Sequence, residues 1–89
     1  MVVIFLEIIY SKSASKAIKS LDNKMKQRMK TAIEGLIEIP PKGDIKKLQG
    51  VNPVAYRLRI GKYRVIYEYN DEKSILFIKA IGSRGDIYN

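Results

Sequence analysis

Apolar and polar positions change period along this chain, and the changes mark its elements. Val2 to Tyr10 is rich in β-branched and aromatic residues and reads as a buried strand. Ser11 or Ser13 stands where a helix cap belongs, and Ala14, Ala17, Ile18 and Leu21 then recur at helical spacing. Asp22 is placed to cap a second helix. The apolar stripe of that helix is Met25, Met29, Ala32, Ile33, Leu36 and Ile37, with Lys24, Gln27, Arg28, Lys30 and Thr31 elsewhere on its circumference. Met25 and Met29 read as core filling rather than a sticky partner site, because Met adapts to irregular gaps.

Pro40-Pro41-Lys42-Gly43-Asp44 ends the helical region. Ile45 to Gly50 reads as a short connector with two apolar anchors. Tyr56–Ile60 and Tyr63–Tyr69 alternate as strands on either side of Gly61-Lys62, a two-residue loop whose leading Gly suits a type II′ turn. Asn70 to Lys73 is a turn. Ser74 to Ile81 is a nearly continuous apolar run, which predicts a strand central in the sheet. Gly82 to Asn89 is irregular. The order β-α-α-β-β-β predicts one α+β domain over residues 1–89, with two N-terminal helices packed on one face of a mainly antiparallel four-stranded sheet.

The hairpin carries the chemistry. Its register sets Ile60 opposite Tyr63, Leu58 opposite Val65 and Arg59 opposite Arg64, so Arg57, Arg59 and Arg64 share a face. Like charges directly opposite each other destabilise a sheet. A face that collects guanidinium groups despite that repulsion suits an anion such as a phosphate; the alternative for any one of them is a solvated strand face. Composition strengthens the first reading. Seventeen basic residues against nine acidic give a net charge of +8, which points to a polyanionic partner: nucleic acid, an acidic protein or an anionic membrane. Between Ile45 and Val65 stand Lys46, Lys47, Arg57, Arg59, Lys62 and Arg64, and no carboxylate. A second basic cluster, Lys12 to Lys30, is interrupted only by Asp22 and fits a solvated helix face.

Other chemistries drop out. Cysteine and histidine are absent, which removes disulfides, thiolate nucleophiles, imidazole catalysis and zinc held by Cys or His. The nine carboxylates form no metal loop or paired-acid motif, there is no P-loop or dinucleotide fingerprint, and no metal or cofactor is expected. The opening Met1 to Leu6 run lacks a basic leader and carries Glu7 next, so it reads as strand rather than signal peptide. No apolar run reaches membrane-spanning length, and the expected location is the cytoplasm.

RNA cleavage needs no metal. The ribose 2′-OH can attack the neighbouring phosphate if the attack is aligned, the charge building on phosphorus is offset and two protons are moved. Arginines aimed at the phosphate supply the second requirement. Tyr88 offers a proton-transfer group, since nearby cations favour the phenolate, or a stacking platform for an unpaired base. Lys46, Lys47 and Lys62 are candidates for gripping backbone phosphates, with a solvated connector as the alternative for the first two. Tyr56, Tyr63, Tyr67 and Tyr69 are expected in the core or at the sheet edge.

Three segments together resemble the RelE/ParE superfamily of toxin–antitoxin toxins: Lys47-Leu48-Gln49-Gly50, then Tyr56 to Tyr67, then Ile81-Gly82-Ser83-Arg84-Gly85-Asp86-Ile87-Tyr88. The resemblance covers nearly the whole chain. It implies that Arg57 and Arg59 form the family's basic pair, that Arg64 is the arginine of the Tyr-Arg-Val-Ile-Tyr strand, and that Arg84 and Tyr88 belong to the terminal motif, all five being catalytic candidates. In the RelE branch the toxin enters the ribosomal A site and cuts mRNA there, and a co-expressed antitoxin wraps and silences it. The implied partners are therefore a cognate antitoxin, the ribosome with its mRNA, and operator DNA only through the toxin–antitoxin complex. Lysines are frequent at the basic pair of that branch, one of them a candidate base; both positions are arginine here, which shifts proton transfer toward Tyr88 or ribosomal groups. Many relatives have His where Ser83 stands. Two alternatives share the fold: a ParE-like toxin that poisons gyrase without cutting RNA, and a basic module that only forms complexes with antitoxin and DNA.

Overall fold

A computed structural model describes residues 7–38, 40–70 and 72–83. The elements are β1 (Glu7–Tyr10), α1 (Lys12–Lys19), α2 (Asn23–Glu34) running into a 3-10 turn (Gly35–Ile37), β2 (Asp44–Lys47), β3 (Tyr56–Ile60), β4 (Tyr63–Asn70) and β5 (Ile75–Ser83). The helices start where their caps predict. The Ser11 hydroxyl accepts from the Ala14 N–H at 3.0 Å, and the Asp22 carboxylate accepts from the Met25 N–H at 2.8 Å. Each cap satisfies a backbone donor that a helix start leaves without an intrahelical partner.

Among the described residues five strands, not four, make a mixed sheet in the order β1-β5-β4-β3-β2. The added strand is β2, which the sequence presents as a connector. Four residues are too few to display a period of two, yet Asp44 to Lys47 pair antiparallel with Arg59 to Tyr56. β1 pairs parallel with β5, and the remaining pairs are antiparallel. Two expectations shift with this order. β1 is an edge strand with Ile9 36% exposed, rather than a buried one. The middle of the sheet is β4, with β5 beside it.

One face of the sheet holds the core. Ile8, Tyr10, Leu76, Ile78, Ile81, Val65, Tyr67, Leu58 and Ile60 pack there with Ala14, Met29, Ile33 and Leu36 from the helical layer. Complete burial of a side chain such as Leu58 or Ile33 contributes about 1.5–3 kcal/mol. Tyr56, Tyr67 and Tyr69 cluster on this face with ring centroids 5.6–5.9 Å apart. The Tyr69 hydroxyl donates to the Leu36 carbonyl at 2.8 Å, tying the sheet to the end of the helical layer.

Two glycines fix the geometry around β3. Gly43 has φ +127°, and a Cβ there would stand 2.6 Å from Leu58 Cδ1, so the chain enters β2 pressed against the core. Gly61 has φ +59° while Lys62 keeps negative φ, as a type II′ turn requires. A bulge interrupts β5. Ile66 pairs with Ala80 but Tyr67 with Ile78, leaving Lys79 unopposed in the register. The Ser11 hydroxyl donates to the Lys79 carbonyl at 2.7 Å, so one serine caps α1 and ties it to the bulge.

Candidate functional site

Alternation along β3 and β4 separates two chemistries. Leu58, Ile60, Val65 and Tyr67 point into the core, so Arg57, Arg59, Arg64 and Ile66 point to the opposite face, away from α1 and α2. The predicted register holds: Arg59 faces Arg64 and Leu58 faces Val65. Pairing with β2 extends the row. Asp44 stands opposite Arg59, and Lys46 opposite Arg57. Across β4, Arg64 faces Gly82 and Ile66 faces Ala80. Gly82 therefore sets no side chain against Arg64 on the β5 side.

The arginines differ in how they are held. Arg57 is 15% exposed and donates through Nη2 to Asp44 Oδ1 at 3.1 Å. Its Nε is buried without a hydrogen-bond partner. Arg59 is 48% exposed, its Nε 3.8 Å from Asp44 Oδ2. Arg64 is half-buried and makes no ion pair with any described residue. The expectation of an arginine face with no acid nearby is thus corrected. Asp44 sits immediately before the acid-free stretch, and strand pairing folds it back between Arg57 and Arg59. Because the sequence presents Asp44 as the end of a turn, only the unrecognised strand β2 could have revealed it.

The lysines divide. Lys46 shares the arginine face. Lys47 registers with Tyr56 on the core side of the sheet, away from the arginines. Lys62 lies at the hairpin tip, its Nζ 5.5 Å from the centroid of the Tyr63 ring. Arg84 and Tyr88 lie outside the described residues. Among the described residues no group of three His, Cys, Asp or Glu side chains is placed to hold a metal, and no helix is long and apolar enough to cross a membrane.

Tyr67 and Tyr10 are unsuited to proton transfer near neutral pH. Burial pushes the Tyr67 phenol far above its ordinary value, reinforced by Tyr69 and Tyr56 beside it. Tyr10 is raised too, by burial first and by the Glu34 carboxylate second. What remains for chemistry around the arginines is positive charge: three guanidinium groups and the Lys46 ammonium around Asp44, while Glu68, farther along the same face, is paired with Lys79 at 2.9 Å.

The sequence model of the family described as "ParE toxin of type II toxin-antitoxin system, parDE" matches residues 8–88. This chain belongs to the RelE/ParE superfamily of type II toxins. Within it the toxin is RelE-like. It is similar to RelE1 of Methanocaldococcus jannaschii, 38% identical over 80 residues that span 86% of this chain and 88% of the relative. The archaeal RelE–RelB complex from Pyrococcus horikoshii contains a chain 29% identical to the toxin, with a TM-score of 0.75, covering 91% of this chain and 97% of that one. The isolated Escherichia coli RelE toxin shares the fold at a TM-score of 0.73 and 24% identity, over 97% of this chain and 92% of that one.

Proposed function

We propose that this toxin halts translation by cutting mRNA on the ribosome, without a metal ion. The observation that carries the reading is the placement of Arg57, Arg59 and Arg64 side by side on the face of the sheet opposite α1 and α2. A scissile phosphate on that face meets Arg59 and Arg64 across one row of the register, with Arg57 in the next row. The ribose 2′-OH attacks phosphorus, the P–O5′ bond breaks, and the guanidinium groups offset the negative charge that builds on the phosphoryl oxygens. Lys46 holds the neighbouring backbone phosphate. Arg84 and Tyr88 take the roles that their match to the family motif implies: a further phosphate contact, and proton transfer or base stacking. With so few acid–base groups, the ribosome supplies strand alignment, which is itself a large part of the barrier. A cognate antitoxin silences the toxin by covering the basic face, and operator DNA is met only through that complex. Ribosome-bound messages place the work in the cytoplasm. The test is translation in vitro with and without the toxin, with cut sites mapped by primer extension. Breaks inside translated codons are expected; intact messages would overturn the reading.

A second reading is favoured by the parDE description of the matching family. A ParE-like toxin would leave mRNA whole and inhibit gyrase, so a supercoiling assay on the same preparation separates the two. A toxin harmless when expressed alone would favour the third class, a complex-forming module without catalysis.

A further inference from the structure

Asp44 is the carboxylate set between Arg57 and Arg59, and neither the family motif nor the basic patch explains it. We propose that it is a resident counter-anion, a tethered carboxylate that occupies Arg57 and Arg59 until an RNA phosphate displaces it, and so sets how tightly the toxin holds RNA. The proposal rests on the reading of this face as a phosphate site.

Three observations support it. First, the pairing is incomplete. Arg57 uses one N–H toward Asp44, at 3.1 Å, while its Nε stays buried without a partner, and the approach of Arg59 at 3.8 Å is too long for a hydrogen bond. A guanidinium satisfied by a carboxylate makes two parallel bonds. One acid shared between two such groups satisfies neither. Second, the site keeps a surplus of positive charge. Asp44 faces Arg59, which faces Arg64, and Lys46 adjoins on the same strand. Glu68, farther along the same face, is already paired with Lys79 at 2.9 Å, so Asp44 alone stands against Arg57, Arg59, Arg64 and Lys46 and leaves a field that attracts a second anion. Third, the carboxylate is 58% exposed and lies on edge strand β2, so solvent screens it and its ion pairs add little to folding. Its placement between two site arginines has more effect on binding than on stability.

The consequence is selective. An isolated phosphate ion must compete with a carboxylate that the chain holds in place. A polynucleotide displaces it more readily, because Lys46 holds the neighbouring phosphate while Arg64 meets the scissile one, which keeps the strand at high local concentration. Asp44 therefore biases the face toward strands over single ions.

The experiment measures binding of the full chain to a short fluorescein-labelled single-stranded RNA by anisotropy over a salt series, for the wild type, Asp44→Asn and Asp44→Ala. Asn keeps an oxygen that accepts from Arg57 and removes only the charge. Both variants are expected to bind roughly 2- to 5-fold tighter at low salt. The slope of log affinity against log salt should steepen by about 0.7, the increment for one more phosphate neutralised on a single strand. Inorganic phosphate, followed at the Arg57 Nε–H resonance, should shift that signal at lower concentration in Asp44→Asn than in wild type. Thermal melts confirm that each variant is folded. Unchanged affinity and slope, or weaker binding in Asp44→Asn, would overturn the proposal. Loss in Asp44→Ala alone would do so too, marking Asp44 as a residue that only positions Arg57. Cleavage is not read in this experiment. A wild type that binds RNA but cuts no message would refute the proposed function and leave the Asp44 result standing; the converse pattern would do the reverse.

Discussion

The two faces of the β3–β4 hairpin are built from the same residues in alternation, yet they serve different ends. On the core face Leu58, Val65 and Tyr67 are almost wholly buried and pack against α2. On the other face Arg59 and Arg64 oppose each other, an arrangement that costs the sheet stability rather than adding to it. The difference teaches where selection for folding stops. Arg59 and Arg64 have core residues on both sides and oppose each other, which adds nothing to folding and is the ground for proposing that they serve an anion outside the fold.

Breaking the core face should have the largest effect. Leu58→Ala is expected to lower stability by about 2–5 kcal/mol in urea denaturation, whereas Arg59→Ala, one residue along, should stay within about 0.5 kcal/mol of wild type. Loss of the same size from both would mean that the arginine face is structural. The seam between α1 and the sheet comes next. Ser11 both caps α1 and holds the Lys79 carbonyl at the β5 bulge, so Ser11→Ala should cost about 1–2 kcal/mol, and an unchanged midpoint would show that water replaces both bonds. The smallest effect concerns alkaline pH. Tyr67 keeps its proton in the folded state to a higher pH than in the unfolded chain, where the ordinary value is about 10. Above that pH the unfolded chain loses the proton first, so stability falls as pH rises further. Tyr67→Phe should flatten that fall while changing little at neutral pH; an identical alkaline limb would contradict the assigned burial.

Much of this contrast was legible in the sequence because it depends on period alone. Alternation from Tyr56 to Tyr67, with Gly61 at the turn, fixed which arginines share a face, and Ser11 and Asp22 marked the helix starts. What stayed hidden depends on partners distant in sequence. Four residues of β2 carry no readable period, so neither the fifth strand nor the return of Asp44 to Arg57 could be inferred. The same strand pairing sends Lys47 to the core side while Lys46 stays with the arginines, a distinction that two adjacent lysines cannot express by themselves. The edge position of β1 was hidden for the opposite reason: its apolar run resembles an interior strand, and only the parallel pairing with β5 sets it at the margin.

Arg64 offers the most direct test, because it belongs to the proposed site, makes no ion pair with any described residue and contributes little to the core. The measurement is the yield of mapped message breaks in a translation reaction containing wild type or Arg64→Ala, each first shown to melt at the same temperature. The account predicts a loss of breaks of about 100-fold or more, the usual effect of removing one preorganised donor from a developing oxyanion, with the fold intact. Full cleavage by the folded variant would contradict it.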